Sequence, residues 1–307
     1  TQARKAQSLA ESGDLPAARA LWQQAGERYA QALEIKPDKH EAAYNWGNAL
    51  DDEAQALAES DLVAARALWR QVGERYAQAL AIKPDKHEAA YNWGVALDNE
   101  AQALAASDLP AARALWRQAG ERYAQALVIK PDDHEAAYNW GTVLTQEAQA
   151  LAENDLPAAQ VLWRQAGERY AQALAIKPDK HKAANNWGSA LAQEAQALAA
   201  SDLPAARALW RQAGERYAQA LAIKPDLHEA ANNWSIALLN EYHTIQHTHP
   251  DEAAALLSQA EALLLQAEAG QPGLAAYNLA CIAALRQRPA DAIHWLRSCQ
   301  THGTLPS

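Results

Sequence analysis

Cysteine is nearly missing from this 307-residue chain: Cys281 and Cys299 are its two. Two cysteines in a chain of this size exclude a disulfide scaffold, and a reducing, cytoplasmic setting is the expectation. Glycine and proline are scarce, 13 of each, and they fall in register. That suits an all-helical protein. Positive charge is in deficit, with a formal balance of −10. This argues against a nucleic-acid binder that works by neutralising phosphates. No apolar run approaches the length of a membrane span, and no secretory signal is visible. The expected partners therefore include neither nucleic acid nor membrane. There is no glycine-rich phosphate loop, no GxSxG elbow and no carboxylate pair with a partner histidine. The expectation is a protein that is not an enzyme and takes no cofactor.

What the chain has instead is a 47-residue unit repeated almost verbatim. Trp46, Trp93, Trp140, Trp187 and Trp234 lie 47 apart, as do Trp22, Trp69, Trp116, Trp163 and Trp210. Pro37, Pro84, Pro131, Pro178 and Pro225 keep the same step. Self-similarity at a fixed period signals a solenoid, in which each unit buries its apolar face on its neighbours. The segments are a partial unit at 1–39, full units at 40–86, 87–133, 134–180 and 181–227, a divergent unit at 228–274, and a short capping hairpin and tail at 275–307. The sequence starts inside a repeat and reads as a piece of a longer chain.

Each unit reads as two helices. In 87–133 the first runs from His87 to about Ala106, with Asp85 as N-cap and Glu88 at capping-box spacing. Its apolar stripe is Ala90, Trp93, Leu97, Ala101 and Leu104. Asp108 and Pro110 restart the chain as a second helix, with Leu115, Trp116, Ala119, Tyr123, Ala126 and Leu127 inward. Pro131 ends it near Ile129. Short turns force antiparallel packing.

At YNWGNAL (44–50) and ERYAQALAIKPD (74–85) the unit resembles the tetratricopeptide repeat family. Gly94, Ala119 and Ala126 stand at that family's small positions, Tyr123 at its aromatic and Pro131 at its terminal proline. The family unit is shorter, roughly 34 residues; the extra length falls around the inter-helix turn, between Glu100 and Gln118. The family's bulky residue before the glycine is usually Leu, and here it is Trp93. The resemblance implies an all-α, right-handed superhelical solenoid of antiparallel hairpins.

The repeats also differ in an ordered way. Units 87–133 and 181–227 differ at seven positions: Glu88/Lys182, Tyr91/Asn185, Val95/Ser189, Asp98/Ala192, Asn99/Gln193, Val128/Ala222 and Asp133/Leu227. Five of these lie on the first helix at steps of three and four, which trace one stripe. The resemblance implies that this stripe lines a concave, ligand-holding groove. It carries the groove to Glu41, Tyr44, Asn48, Asp51 and Asp52 in the first full unit, and to Glu88, Tyr91, Val95, Asp98 and Asn99 in the second. In the third it gives Glu135, Tyr138, Thr142, Thr145 and Gln146; in the fourth Lys182, Asn185, Ser189 and Gln193; in the fifth Glu229, Asn232, Ile236, Leu239 and Asn240. Neutral drift on an exposed face is the competing reading, yet Gln118, Glu121, Arg122 and Gln125 read as exposed and do not vary.

The stripe is acidic and tyrosine-rich early, and neutral or basic later. Its early part suits a partner carrying Lys or Arg, through charge-assisted bonds and cation–π contact. The constant Asn45, Asn92, Asn139, Asn186 and Asn233 serve either a ligand backbone or the tie between neighbouring helices. His243 and His247 stand at i, i+4, but nothing completes a metal site, and a solvated turn is expected. His40, His87, His134, His181 and His228 recur once per unit and read as structural. The function expected is a scaffold that binds a peptide or protein segment. The alternatives are self-assembly through an exposed N-terminal end, and a docking or regulatory arm of a larger enzyme.

Overall fold

The computed structural model describes residues 2–305; Thr1, Pro306 and Ser307, at the ends of the 1–39 and 275–307 segments, lie outside the described residues. Among those described there are fourteen α-helices and no strand. The chain divides into two compact bodies, 1–150 and 151–307. The first contains α1 (Gln2–Glu11), α2 (Leu15–Ile35), α3 (His40–Leu57), α4 (Leu62–Ile82), α5 (His87–Leu104) and α6 (Leu109–Ile129), and α7 (His134–Leu151) ends at its boundary. The second contains α8 (Leu156–Ile176), α9 (His181–Leu198), α10 (Leu203–Ile223), α11 (His228–Ile245), α12 (Pro250–Gly270), α13 (Ala276–Leu285) and α14 (Pro289–His302). Hairpins α1/α2, α3/α4 and α5/α6 stack in the first body, and α9/α10, α11/α12 and α13/α14 in the second. This is an all-α repeat of helix hairpins, with helices of 18 and 21 residues per full unit.

The second helices start as the sequence implies. Asp14, Asp61, Asp108, Asp155 and Asp202 each accept a hydrogen bond from the backbone N–H three residues on, at 3.0–3.1 Å. Such a bond satisfies one of the orphan donors of a helix start. The capping box at Asp85 does not form. The first helix begins at His87 behind Lys86, which makes no side-chain cap bond. A tight turn, Lys86 N–H to Lys83 O, leaves Asp85 one position too early. Among the described residues only Asp133, in the place of Lys39, Lys86, Lys180 and Leu227, caps a first helix, accepting from Glu135 N and Ala136 N at 3.1 Å.

The core repeats with the unit. Trp22, Trp69, Trp116, Trp163 and Trp210 are buried, as are Tyr76, Tyr123, Tyr170 and Tyr217. The first-helix glycine lies flat against the tyrosine ring: a Cβ on Gly47, Gly94 or Gly188 would stand 2.7–2.8 Å from Cε1 of Tyr76, Tyr123 or Tyr217. In the divergent unit the same two positions hold Ser235 and Leu264, both fully buried. The tyrosine ring and the bare glycine thus disappear together. The first-helix tryptophans are half-buried rather than core. Guanidinium groups lie over them: Arg75 on Trp46 at 4.2 Å, Arg122 on Trp93 at 4.0 Å, Arg216 on Trp187 at 3.8 Å. Cys281 and Cys299 are free thiols, and Cys299 is buried.

Candidate functional site

The stripe singled out in the sequence sits above a polar ladder that joins successive first helices. Asn92 Nδ2 donates to Tyr44 Oη at 3.0 Å and to Asn48 Oδ1 at 3.1 Å, and Tyr76 Oη donates to the same Asn48 oxygen at 2.7 Å. One repeat on, Asn139 Nδ2 donates to Tyr91 Oη at 2.9 Å. In the second body Asn233 donates to Asn185 Oδ1, and Asn278 to Asn232 Oδ1, each at 3.4 Å. Of the two roles open to the constant asparagines, Asn92, Asn139 and Asn233 take the inter-helix tie. Asn186 accepts from Asn185 at 3.2 Å, and Asn45, on the first of these helices, is exposed.

The placement of the remaining stripe residues is uneven. Glu41, Glu88 and Lys182 are exposed. Asn48, Asp52, Val95, Asp98, Asn99, Ser189, Gln193 and Asn232 are half-buried, as are Glu135, Tyr138, Thr142, Thr145 and Gln146. Thr142 and Thr145 turn their hydroxyls back to the carbonyls of Tyr138 and Gly141. Tyr44 and Tyr91 tilt against Tyr76 and Tyr123, with centroids 6.0 and 5.9 Å apart. Desolvation pushes the Tyr91 phenol up to about 12.

Three stripe residues are not groove-lining in the sense the sequence suggested. Leu239 is buried and packs in the apolar core around α11 and α12. Asn185 is 3% exposed, held by Asn186, Asn233 and Glu229. Asp51 is 8% exposed. Its Oδ1 accepts from Trp69 Nε1 at 2.9 Å and its Oδ2 from Gln55 at 2.8 Å. Burial pushes its carboxyl up to about 6, against the opposing pull of those two donors. Asp98 repeats the arrangement, accepting from Trp116 Nε1 at 3.2 Å, and desolvation raises its carboxyl too. These acids serve the interior first, because a buried indole N–H left without an acceptor carries a cost.

A second ladder was missed in the sequence. On another face, Arg19 Nε donates to Glu53 Oε1 at 3.2 Å, Arg66 to Glu100 at 3.5 Å and Arg207 to Glu241 at 3.1 Å. Each joins a second helix to the first helix of the next unit. Glu147 meets Arg117 at 3.4 Å, and Glu194 is bonded by Gln160. The signal was present: an Arg and a Glu stand 34 residues apart in four of five registers. Arg122 and Gln125 also have a structural reason for constancy, since Arg122 donates to Gln125 at 3.0 Å while covering Trp93. They are half-buried, so of the four constant positions named above Gln118 and Glu121 are the exposed ones.

Clefts adjoin these ladders. One of about 470 Å³ runs between α1 and α3, lined by Gln7, Ala10, Leu15, Trp22, Asp52 and Gln55. Another of about 550 Å³, with Arg19, Trp46 and Glu53 in its wall, lies over α2, α3 and α4. Exposed acids near the stripe already have basic neighbours: Glu88 meets Lys86 at 3.2 Å, and Lys86 Nζ lies 4.5 Å above the Tyr44 ring. Among the described residues no three His, Cys, Asp or Glu side chains gather as a metal site. No helix of the described residues is long and apolar enough to cross a membrane.

No family model and no curated protein matches the chain. Its backbone is similar to several solved structures. PilW, a type IV pilus biogenesis factor, aligns over 84% of this chain and 95% of its own at 16% identity and a TM-score of 0.49. PilF of Pseudomonas aeruginosa aligns over 81% and 90%, also at 16% identity and 0.49. YrrB, described as a TPR protein with an unusual peptide-binding site, aligns over 80% and 93% at 14% identity and 0.45. In its helix hairpins, small crossing residues and terminal prolines the chain resembles the tetratricopeptide repeat family, with an extended 47-residue unit.

Proposed function

We propose that this chain is a non-enzymatic interaction scaffold that holds a peptide or protein segment along its first-helix face. The observation that carries the reading is the confinement of change. Between units 87–133 and 181–227, five of seven differences fall on one stripe of the first helix. Beneath it the ladder of asparagines keeps its bonds. A face that varies over a fixed frame suits recognition, with several weak contacts summed along an array.

Toward the N-terminal repeats the segment would be basic. Glu41 and Glu88 are exposed, and Asp52 stands in the wall of the α1–α3 cleft. Tyr44 and Tyr91 add faces for a cation. Asp51 and Asp98 are left out of this acidic set, because their oxygens serve Trp69 and Trp116.

The test is capture with Glu41→Lys/Glu88→Lys beside the unmodified chain. Lysine already occupies this position as exposed Lys182, so the variant keeps the fold. Loss of a captured basic partner, with unchanged circular dichroism, is the expected outcome. Equal capture by both chains would remove these repeats from the binding surface.

A further inference from the structure

Each full unit has one deeply buried second-helix tryptophan whose indole N–H needs an acceptor. In the first body that acceptor is the aspartate 18 residues earlier: Asp51 for Trp69, Asp98 for Trp116. The residue 18 before Trp210 is Ala192. Trp210 is 3% exposed, and its Nε1 has no acceptor among the described residues. Trp163 Nε1 is likewise without one. A buried donor left this way costs about as much as a lost hydrogen bond.

The surroundings say what would fit. Ala192 is half-buried, so its place on the stripe reaches the surface, while Trp210 Nε1 itself is closed to solvent in the unbound chain. Tyr217 already donates its hydroxyl to Ser189 at 3.2 Å. The stripe has also lost its acids here: Lys182 replaces Glu88, Ala192 replaces Asp98, and Gln193 stands where Asp52 does. The first-helix carboxylates Glu194, Glu229 and Glu241 are engaged by Gln160, Asn185 and Arg207. Removal of a negative side chain beside an unmet donor favours an incoming anion.

We propose that the α9/α10 hairpin carries a carboxylate subsite: an Asp or Glu side chain of the bound segment enters over Ala192 and accepts from Trp210 Nε1. The partner thereby supplies from outside what Asp51 and Asp98 supply from within. The inference rests on the groove reading and deepens it. At α9 the segment would be acidic.

The experiment observes the indole N–H resonances of the ¹⁵N-labelled chain, with Trp210 identified through Trp210→Phe. Acetate is the probe, and chloride at matched ionic strength and neutral acetamide are the controls. Trp210 should move downfield and saturate with acetate, respond several-fold less to acetamide, and stay still in chloride, while Trp69 and Trp116 do not move. In Ala192→Asp the resonance should start downfield and ignore acetate; Ala192→Leu, which fills the position without a charge, should also abolish the response. The proposal is overturned if Trp210 does not respond to acetate, if chloride or acetamide acts equally, or if Trp69 and Trp116 move alike. It is also overturned if both Ala192 variants respond as the unmodified chain does. Such a failure would leave capture by Glu41 and Glu88 untouched, so it is separable from failure of the groove.

Discussion

Asp51→Asn isolates the cost of placing an acid inside a repeat. Asp51 is 8% exposed, and its side-chain partners Trp69, Gln55 and Asn99 are neutral donors. Moving a carboxyl from 3.8 to about 6 corresponds to about 3 kcal/mol against the ionised form in the folded chain. The folded state holds this proton more tightly than the unfolded state. Its contribution to stability is therefore full below about pH 4, falls as pH rises toward 6, and is flat above that. Asparagine keeps an oxygen for Trp69 Nε1, and the Gln55 amide can turn to present its own oxygen. At pH 7.5 the variant should be more stable by up to about 3 kcal/mol, and at pH 4 the two chains should be equal. Urea unfolding at both pH values measures the gain. Because repeats can unfold in parts, amide exchange over α3 and α4 supplies the local figure. A variant less stable at pH 7.5, or a gain that does not shrink on acidification, would refute the reasoning.

Gly94→Ser should destabilise the array by about 1–3 kcal/mol through overpacking on Tyr123. Addition of Tyr123→Leu should recover part of that loss, since Ser235 and Leu264 already hold these two positions together; a double-mutant cycle without coupling would argue against it. Gln160→Arg places a guanidinium opposite Glu194, whose carboxyl desolvation raises. It should add about 0.2–1 kcal/mol, read as an upward shift in the urea midpoint that salt reduces. No shift would mean that the Arg–Glu ladder aligns repeats without stabilising them.

Most of the hairpin plan was legible because it depends on spacing. Asp108 and Pro110 start a helix, Pro131 follows its end, and the step between tryptophans sets the unit. What was not legible depends on the direction of single side chains. The acid stripe looked open because Asp51 and Asp98 lie apart from the apolar stripe. A hydropathy pattern does not encode the need of an indole N–H 18 residues on. The capping box failed for a similar reason: its spacing was right, but the turn after Pro84 delays the helix until His87.

The stripe's variation also has a limit that its sequence conceals. Tyr44 and Tyr91 become Asn185 and Asn232 in the later repeats, which reads as the loss of an aromatic face. Yet each of the four offers an oxygen to the asparagine of the next first helix: Asn92, Asn139, Asn233 and Asn278. A phenol and a carboxamide share that one property among many differences. Substitution at this position thus alters size, aromaticity and cation affinity while keeping the acceptor that the stack requires. Where no such requirement is met from within, as at Ala192, the unmet donor falls to Trp210 instead. The face can therefore change its chemistry from repeat to repeat without opening the stack beneath it.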